Sequence, residues 1–305
     1  WGYFFDMKET TKPNFIIIGA MKAATTSLYT YLKQHPDIFM TAIKEPKFFN
    51  NFGKDPDFKL QGKGIRKIST FKKYYSLFKG VKNETAIGEA SPSYIYNSLA
   101  PILIKEEIPD VKIITILRQP ISRAYSNFLH TRRSGREPIE KFEDALKEEK
   151  IRMQNNWSPM YFYKDKGFYY KQLKRYFEIF HKESIKVLLF EEVVKDPVRV
   201  SKEIFKFLEV DDNFIPNIKY KTNVSGTPKG LFGWIIKKLR FYNLIPNIQF
   251  SKFLPDFLLN MIFNTVYSKP EKLDEVLKKE LTRKFYKKDI LKLEKLIEKN
   301  LSHWL

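Results

Sequence analysis

Residues 14–27 read Asn-Phe-Ile-Ile-Ile-Gly-Ala-Met-Lys-Ala-Ala-Thr-Thr-Ser, and this stretch decides the fold. Its short apolar run ending in glycine is typical of a parallel strand buried on both faces. The hydroxyl residues at its end open a segment with helical spacing of Leu28, Tyr31 and Leu32. The stretch therefore predicts a strand over 14–19, a loop of small residues, and a helix over 25–34 that stops before a proline.

The loop between this strand and helix is suited to hold a phosphate-like group. Backbone N–H groups at the helix start, the helix dipole and the Lys22 ammonium converge there. It is not a Walker A loop, which has G-x-x-x-x-G-K-[ST] with the lysine directly before a magnesium-binding hydroxyl. The sequence thus predicts an anion site without a metal, formed by Lys22, Ala23, Ala24, Thr25, Thr26 and Ser27.

Strand-like and helix-like patterns alternate along the chain. Further strands are predicted over 85–88, 111–117 and 186–190, and helices over 98–107, 120–133, 139–154 and 168–180. This alternation indicates an α/β fold, with a P-loop-like central parallel β-sheet flanked by helices. Later the pattern becomes mainly helical, over 198–208, 231–239 and 288–299. Because no linker-like stretch intervenes, we predict one domain over 1–305, with an α/β core at 14–230 and a helical C-terminal part at 231–305.

A second transition from strand to helix lies at residues 116–126, Ile-Leu-Arg-Gln-Pro-Ile-Ser-Arg-Ala-Tyr-Ser. It carries Arg118 at the carboxyl end of its strand and Ser126 about two turns into its helix. Open α/β sheets bind ligands in the crevice at these strand ends. An arginine fork with a hydroxyl suits a terminal phosphate. Two anion sites on one sheet edge therefore predict a nucleotide phosphorylated at both ends.

Composition narrows the function further. The 305 residues include 55 basic and 35 acidic side chains, a net charge of +20 that attracts anionic ligands. The absence of cysteine excludes disulfides and thiolate sites, and the four histidines lack paired zinc-ligand spacing. No apolar run reaches the length of a membrane span, no signal-peptide pattern is visible, and no nucleic-acid-binding motif is found. We expect a cytoplasmic protein that binds neither metal nor nucleic acid.

The lysine loop and the R-x-P-x-x-R-A-x-S stretch together resemble the sulfotransferases that use 3′-phosphoadenosine 5′-phosphosulfate (PAPS), in particular their heparan-sulfate and carbohydrate branch and its bacterial relatives. The resemblance covers most of 14–230 and 284–305. It implies that the first motif holds the 5′-phosphosulfate and that Arg118 and Ser126 hold the 3′-phosphate. A loop with Ser225, Lys229 and Gly230 resembles one that closes over the nucleotide. The product nucleotide is then 3′-phosphoadenosine 5′-phosphate (PAP).

The same resemblance assigns the acceptor side. Glu45, in Lys-Glu-Pro-Lys-Phe-Phe at 44–49, is similar to the glutamate that serves as general base in heparan-type enzymes. Lys22 is the group expected to stabilise charge on the breaking bridge oxygen. Glu89 matches a family position near the acceptor, but Ala90 stands where heparan-type enzymes have lysine. The implied reaction is in-line transfer of a sulfuryl group to a hydroxyl or amine of a carbohydrate or small molecule.

Three other interpretations of the residues stay open at this point. The loop also suits a P-loop kinase-like phosphotransferase, and the net charge suits a non-enzymatic polyanion-binding protein. The alternative for Glu45 is a surface glutamate paired with a neighbouring lysine; Glu89, His35 and His130 are the other candidate bases that the sequence offers. His35, in His-Pro-Asp, is interpreted as a turn residue after the first helix. Tyr169 and Tyr170 are interpreted as anchors of their helix on the sheet, with packing against a sugar ring as the alternative.

Overall fold

The computed structural model describes residues 11–52, 68–218 and 272–305, with the backbone of two short paired strands, Thr227–Pro228 and Tyr267–Ser268. The chain divides into two compact units. Of the described residues, 11–52, 68–118 and 169–218 form the first unit, and 119–168 and 272–305 belong to the second with the short strand pair. The predicted single domain, with its boundary at residue 230, stays a prediction.

A parallel five-stranded sheet forms the centre of the first unit. Its strands are β1 Phe15–Gly19, β2 Ile38–Met40, β3 Ala86–Ala90, β4 Lys112–Leu117 and β5 Ile185–Leu189, in the spatial order β2-β3-β1-β4-β5. On β1, Ile16 pairs with Glu89 of β3 on one side and with Ile113 of β4 on the other. Every residue of β1 is buried, as expected for a central strand of a sheet covered on both faces.

The described helices are, in chain order, α1 Thr25–Leu32, α2 Phe48–Asn51, α3 Phe71–Tyr75, α4 Ala100–Glu107, α5 Pro120–Arg133, α6 Phe142–Gln154, α7 Tyr169–Phe177, α8 Phe190–Lys195, α9 Pro197–Leu208 and α10 Glu275–Ile297. Within the first unit, α7 is fixed to the turn after β3. Its Arg175 donates to the carbonyls of Ile95 and Tyr96, and its Tyr176 hydroxyl donates to the carbonyl of Tyr94 over 3.0 Å. Helix α7 therefore fixes the turn over residues 94–96 by hydrogen bonds to its backbone.

The second unit contains α5, α6 and α10. Its interior holds a two-pronged ion pair in which Arg152 donates to both carboxylate oxygens of Glu137, at 2.6 and 2.8 Å. The Tyr163 hydroxyl donates to the same carboxylate over 2.6 Å, which satisfies the buried charges. On α10, the Tyr286 hydroxyl donates to the carbonyl of Lys164 over 2.6 Å. The C-terminal helix is thus tied to the segment before α7.

The predicted α/β fold is confirmed: a P-loop-like parallel sheet flanked by helices, with a helical C-terminal element. The strands β1, β3, β4 and β5 lie within two residues of their predicted bounds. The sequence did not predict β2, α2 and α3, because elements of three to five residues are too short to show periodicity.

The last helix begins well before its predicted start at residue 288. Asp274 caps it by accepting from the backbone N–H of Leu277 over 2.8 Å. The predicted helix over 231–239 lies outside the described residues. Where the structure describes the chain, no helix combines the length and the apolar character needed to cross a bilayer.

Candidate active site

The loop that follows β1 leaves the sheet through a tight passage. A Cβ atom added to Gly19 would lie 2.5 Å from Cγ2 of Ile95, so only glycine fits. The next residue, Ala20, donates its N–H to the carbonyl of Ile116 on β4 over 2.8 Å. The start of the loop is therefore fixed between β1 and β4.

The backbone of this loop has the shape of an anion-binding nest. Lys22 and Ala24 have positive φ angles of 67° and 64°, a left-handed conformation that is uncommon outside glycine and is enriched at ligand sites. Such residues in alternation turn successive N–H groups toward one side. Helix α1 then begins at Thr25 with no side-chain cap, and the N–H of Ser27 donates to the carbonyl of Ala24 over 3.0 Å. The positive end of the helix dipole therefore lies at this loop. Of the six predicted loop residues, Ala23 and Thr25 are buried and the rest half-buried.

Arg118 stands directly after β4 and is half-buried. Its Nη1 donates to the backbone carbonyl of Lys22 over 3.1 Å, and its guanidinium lies 4.3 Å from the ring centre of Phe190. Its own carbonyl accepts from the hydroxyl of Tyr169 over 2.9 Å, which confirms that this buried tyrosine is an anchor. Arg118 is thus fixed on several sides, with its charge at the lysine loop.

The order of the strands explains why this edge can bind a ligand. The chain leaves β1 toward the β2–β3 side of the sheet and leaves β4 toward β5. Connections that diverge from two adjacent parallel strands leave a crevice outside their carboxyl ends. Lys22 and Arg118 both follow such ends, of β1 and β4. Both predicted anion-binding side chains of the first unit therefore belong to this crevice.

The remaining cofactor residues are placed less completely. Ser126 lies half-buried on α5, in the second unit, so its partnership with Arg118 stays a prediction. Ser225, Lys229 and Gly230 lie outside the described residues. Among the residues that the structure describes, no group of three or more histidine, aspartate or glutamate side chains is arranged to hold a metal ion.

Glu45 lies at the carboxyl end of β3. Its backbone N–H donates to the carbonyl of Ala90, the last residue of that strand, over 3.0 Å. Lys22 and Arg118 follow the ends of β1 and β4, and Glu45 lies beside the end of β3, which borders β1 on its other side. Strands in a sheet are about 4.8 Å apart, so these ends span about 10 Å.

Two lysines flank the Glu45 carboxylate. The Nζ of Lys44 lies 2.9 Å from Oε1 and the Nζ of Lys47 lies 3.4 Å from Oε2, with the glutamate side chain 35% exposed. Burial acts to raise the pKa of Glu45, but the two ammonium groups outweigh it and hold the pKa below its usual value. The lysine pairing expected of a surface glutamate is present, and it keeps a carboxylate at the sheet edge ionised at neutral pH.

Glu89 lies on β3 with no exposed surface. The hydroxyl of Ser91 donates to its Oε2 over 2.8 Å, and the hydroxyl of Tyr74 lies 3.5 Å from its Oε1. Burial raises the pKa of Glu89 to about 7, against the hydrogen bonds from Tyr94, Ser91 and Tyr74, and the charge of Glu45 adds to the rise. The predicted catalytic role of Glu89 stays a prediction, and complete burial leaves it no surface for an acceptor.

The two histidines differ in their surroundings. His35 is buried, with Nε2 2.8 Å from the carbonyl of Asp211 and Nδ1 accepting from the N–H of Asp37. Both ring nitrogens are therefore occupied, which confirms a turn residue rather than a base. His130 is exposed on the last turn of α5, with its Nδ1 3.4 Å from Arg133, and belongs to the second unit.

Sequence reasoning missed Ser91 and Tyr94 as parts of the site. Both lie in the turn after β3 and are fully buried. Their hydroxyls meet Glu89 and the backbone of the Glu45 segment only in the folded chain. The local pattern Gly-Glu-Ala-Ser-Pro-Ser-Tyr gives no signal for these contacts.

Known proteins resemble this chain in sequence and structure. The family model for the sulfotransferase domain matches residues 12–223. A sulfotransferase from Alicyclobacillus acidocaldarius, solved by crystallography, is 31% identical with a TM-score of 0.74, covering 96% of this chain and 99% of that one.

Two curated relatives point to the branch that the sequence resembles. Carbohydrate sulfotransferase 15 of Mus musculus is 27% identical over 65% of this chain and 44% of its own length. The bifunctional heparan sulfate N-deacetylase/N-sulfotransferase 1 of Homo sapiens is 28% identical over 71% of this chain and 24% of its own. The chain thus spans less than half the length of these curated relatives. The family match and the strand-end geometry agree, and the chain belongs to the sulfotransferase family.

Proposed function

We propose that this chain transfers a sulfuryl group from PAPS to a hydroxyl or amine of a carbohydrate or small-molecule acceptor. The observation that carries the proposal is the placement of Lys22, Arg118 and Glu45 at the carboxyl ends of three neighbouring strands, β1, β4 and β3. A nest with a lysine, a guanidinium and an ionised carboxylate are the groups that such a transfer requires at one edge.

The residues present fit a nucleotide with an anionic group at each end. The left-handed backbone at Lys22 and Ala24 and the positive end of the α1 dipole suit the 5′-phosphosulfate. The Arg118 guanidinium, one strand away, suits the 3′-phosphate, with Ser126 as its expected partner on α5. PAPS supplies the sulfuryl group in this reaction, and PAP is its product.

The chain's own residues supply positioning and charge. Lys22 places an ammonium where negative charge grows on the bridge oxygen as the bond to sulfur breaks. Glu45 accepts the proton of the acceptor hydroxyl or amine at a carboxylate oxygen, which makes that group a better nucleophile. As in phosphoryl transfer, most of the rate comes from holding the reacting groups in line and stabilising developing charge.

A carbohydrate is the favoured acceptor class. The mouse and human relatives are named for carbohydrate and heparan sulfate. A net charge of +20 also raises the local concentration of anionic sugar chains. However, Ala90 replaces the lysine of heparan-type enzymes, so we do not assign a heparan-like chain. The cytoplasmic location and the lack of a nucleic-acid partner stay predictions.

The two rival functions make different demands. A P-loop kinase needs the glycine-lysine-hydroxyl ending, which residues 19–27 lack. Non-specific binding of a polyanion needs only surface charge, and does not require the left-handed backbone at Lys22 and Ala24 or its bond to Arg118. The match of residues 12–223 to the sulfotransferase domain favours the transferase over both.

The test is a transfer assay with ³⁵S-labelled PAPS and no magnesium. The acceptor probes are chemically desulfated heparin with free amines, a neutral oligosaccharide and 4-nitrophenol. We expect label on at least one probe, lost in the Glu45→Gln variant. Label on no probe, together with phosphate transfer from γ-³²P-ATP to one of the probes in a parallel reaction that contains magnesium, would instead establish the kinase.

A further inference from the structure

Four fully buried polar side chains lie beneath the Glu45 segment, and the proposed chemistry does not use them directly. They are Glu89 of β3, Ser91 and Tyr94 of the following turn, and Tyr74 of α3, each with 0% exposure. A buried carboxyl with three hydroxyl neighbours is costly unless its hydrogen bonds are satisfied. The contacts of this cluster show where those bonds lead.

Two hydrogen-bond chains run from the Glu89 carboxylate to the backbone of residues 45–49. In one, Ser91 donates to Oε2 of Glu89 over 2.8 Å, while its oxygen accepts from the N–H of Lys47 over 3.0 Å. In the other, Tyr94 bonds to the carboxylate, while its oxygen accepts from the N–H of Phe49 at 3.4 Å. Each hydroxyl gives its single proton to the carboxylate, which turns its lone pairs toward the segment.

The segment needs this support because its backbone is strained. Glu45 and Lys47 have φ angles of 61° and 55°, which are unfavourable for residues with a side chain. Such conformations persist only where the surroundings fix them. The N–H of Glu45 donates to the carbonyl of Ala90, so the N–H groups of residues 45, 47 and 49 all donate to β3 or to the turn that follows it.

We propose that Glu89 is a positioning residue that, through Ser91 and Tyr94, holds the Glu45 carboxylate in its reactive orientation. This inference rests on the proposed function of Glu45 as general base. It explains how a glutamate with no exposed surface can influence the reaction, because it acts through the backbone rather than on the acceptor. Removing either hydroxyl leaves a segment N–H without an acceptor and frees the strained backbone.

The first test measures the segment itself and needs no substrate. Ser91→Ala and Tyr94→Phe each remove one oxygen, and hydrogen exchange is followed in peptides covering residues 44–50. The control is Ser201→Ala, an equally buried serine that donates to the carbonyl of Pro197 within α9. We expect roughly five- to a hundred-fold faster exchange at Lys47 or Phe49, the loss typical of one buried hydrogen bond. Exchange no faster than in the control would overturn the proposal.

The second test separates a positioning role from a merely structural one. With ³⁵S-labelled PAPS and whichever of the three probes takes up label in the assay above, Ser91→Ala should lower kcat about tenfold or more while both KM values stay unchanged. If Ser91 acts through Glu45, the double variant with Glu45→Gln is no slower than Glu45→Gln alone. A double variant whose loss of kcat equals the product of the two single losses would overturn the positioning role. Parental turnover in Glu45→Gln alone would instead reject the base assignment, and the catalytic part of this inference with it, whatever the exchange result.

Discussion

The Nη1 of Arg118 donates to the backbone carbonyl of Lys22 across 3.1 Å, so the side chain that follows β4 holds the loop that follows β1. One residue thus has two possible effects on a bound nucleotide: a charge for a phosphate and support for the neighbouring nest. The stacking of the same guanidinium on Phe190 fixes it before any ligand arrives. Binding then loses little side-chain freedom at this point.

Arg118→Ala should weaken PAP binding by roughly ten- to a hundred-fold, because one charge-assisted hydrogen bond is lost and the Lys22 loop is freed. Arg199→Ala is the matched control. Arg199 is a half-exposed arginine of α9 that pairs with Asp196, just before the helix, and with Glu203 on it. Calorimetry with PAP measures both. Equal affinity in the Arg118 variant and the parent would show that this arginine does not bind the nucleotide.

Lys22→Ala should lower turnover more than PAP affinity, because its most valuable contact forms only as the bridge oxygen gains charge. Lys33→Ala serves as control, since Lys33 is an exposed lysine at the other end of α1. Steady-state rates and calorimetry are compared for the same preparations. A collapse of PAP affinity with unchanged turnover at saturation would make Lys22 a binding residue only.

Glu45→Gln should reduce turnover by about 10²–10⁴-fold with PAP affinity nearly unchanged, as expected for a positioned general base. Glu203→Gln is a closely matched control: Glu203 is also 35% exposed and also pairs with two cations, Lys186 and Arg199. Parental turnover of the Glu45 variant would show that another group takes the proton.

The charge state of Glu45 also sets a pH dependence. The base works as a carboxylate, and Lys44 and Lys47 hold its pKa below the usual value. As pH is lowered, kcat should therefore begin to fall only at a pH below the pKa range of an ordinary glutamate. Titration of Glu45 should cause no change in kcat around neutral pH. In Lys47→Ala the fall should move to higher pH, because one stabilising charge is gone. An unmoved acid limb would mean that Glu45 is not the group observed.

Glu89 makes stability depend on pH in the opposite sense to a paired surface acid. Its pKa is about 7 in the folded chain, against about 4.3 when unfolded. Between these values the folded state keeps a proton that the unfolded state has lost, so stability falls as pH rises. The loss is about 1.4 kcal/mol per pH unit and at most about 4 kcal/mol in total.

Urea unfolding of the parent and Glu89→Gln at pH 5 and pH 8 measures this loss. The amide does not ionise, so the parent should lose stability relative to the variant on going to pH 8, while other titrating groups cancel. A stability difference that is the same at both pH values would show that Glu89 titrates normally.

Much of the fold could be predicted from the sequence because burial leaves a local pattern. The continuous apolar runs of β1 and β4 arise from strands covered on both faces, and the spacing of Val200, Ile204 and Phe205 arises from the one buried face of α9. The strand β2 was not predicted, because three residues are too few to show a periodic pattern. The early start of α10 was not predicted, because its first turns are rich in lysine and glutamate and show no apolar face.

The site was predictable only in part. Lys22 and Arg118 could be found because each follows a strand that the pattern reveals. The bond between Lys22 and Arg118, the left-handed backbone at Glu45 and the burial of Glu89 depend on which strands become neighbours. No local rule contains that information. The roles of Ser126, Ser225, Lys229 and Gly230 stay predictions.

The most direct test of the account is calorimetric titration of the chain with PAP, ADP and ATP in the absence of magnesium. It needs no acceptor and asks only whether the crevice outside β1 and β4 recognises anionic groups at both ends of a nucleotide. We predict that PAP binds at least about tenfold more tightly than ADP or ATP, the difference that one charge-assisted hydrogen bond makes. ATP binding as tight as or tighter than PAP binding would contradict the account.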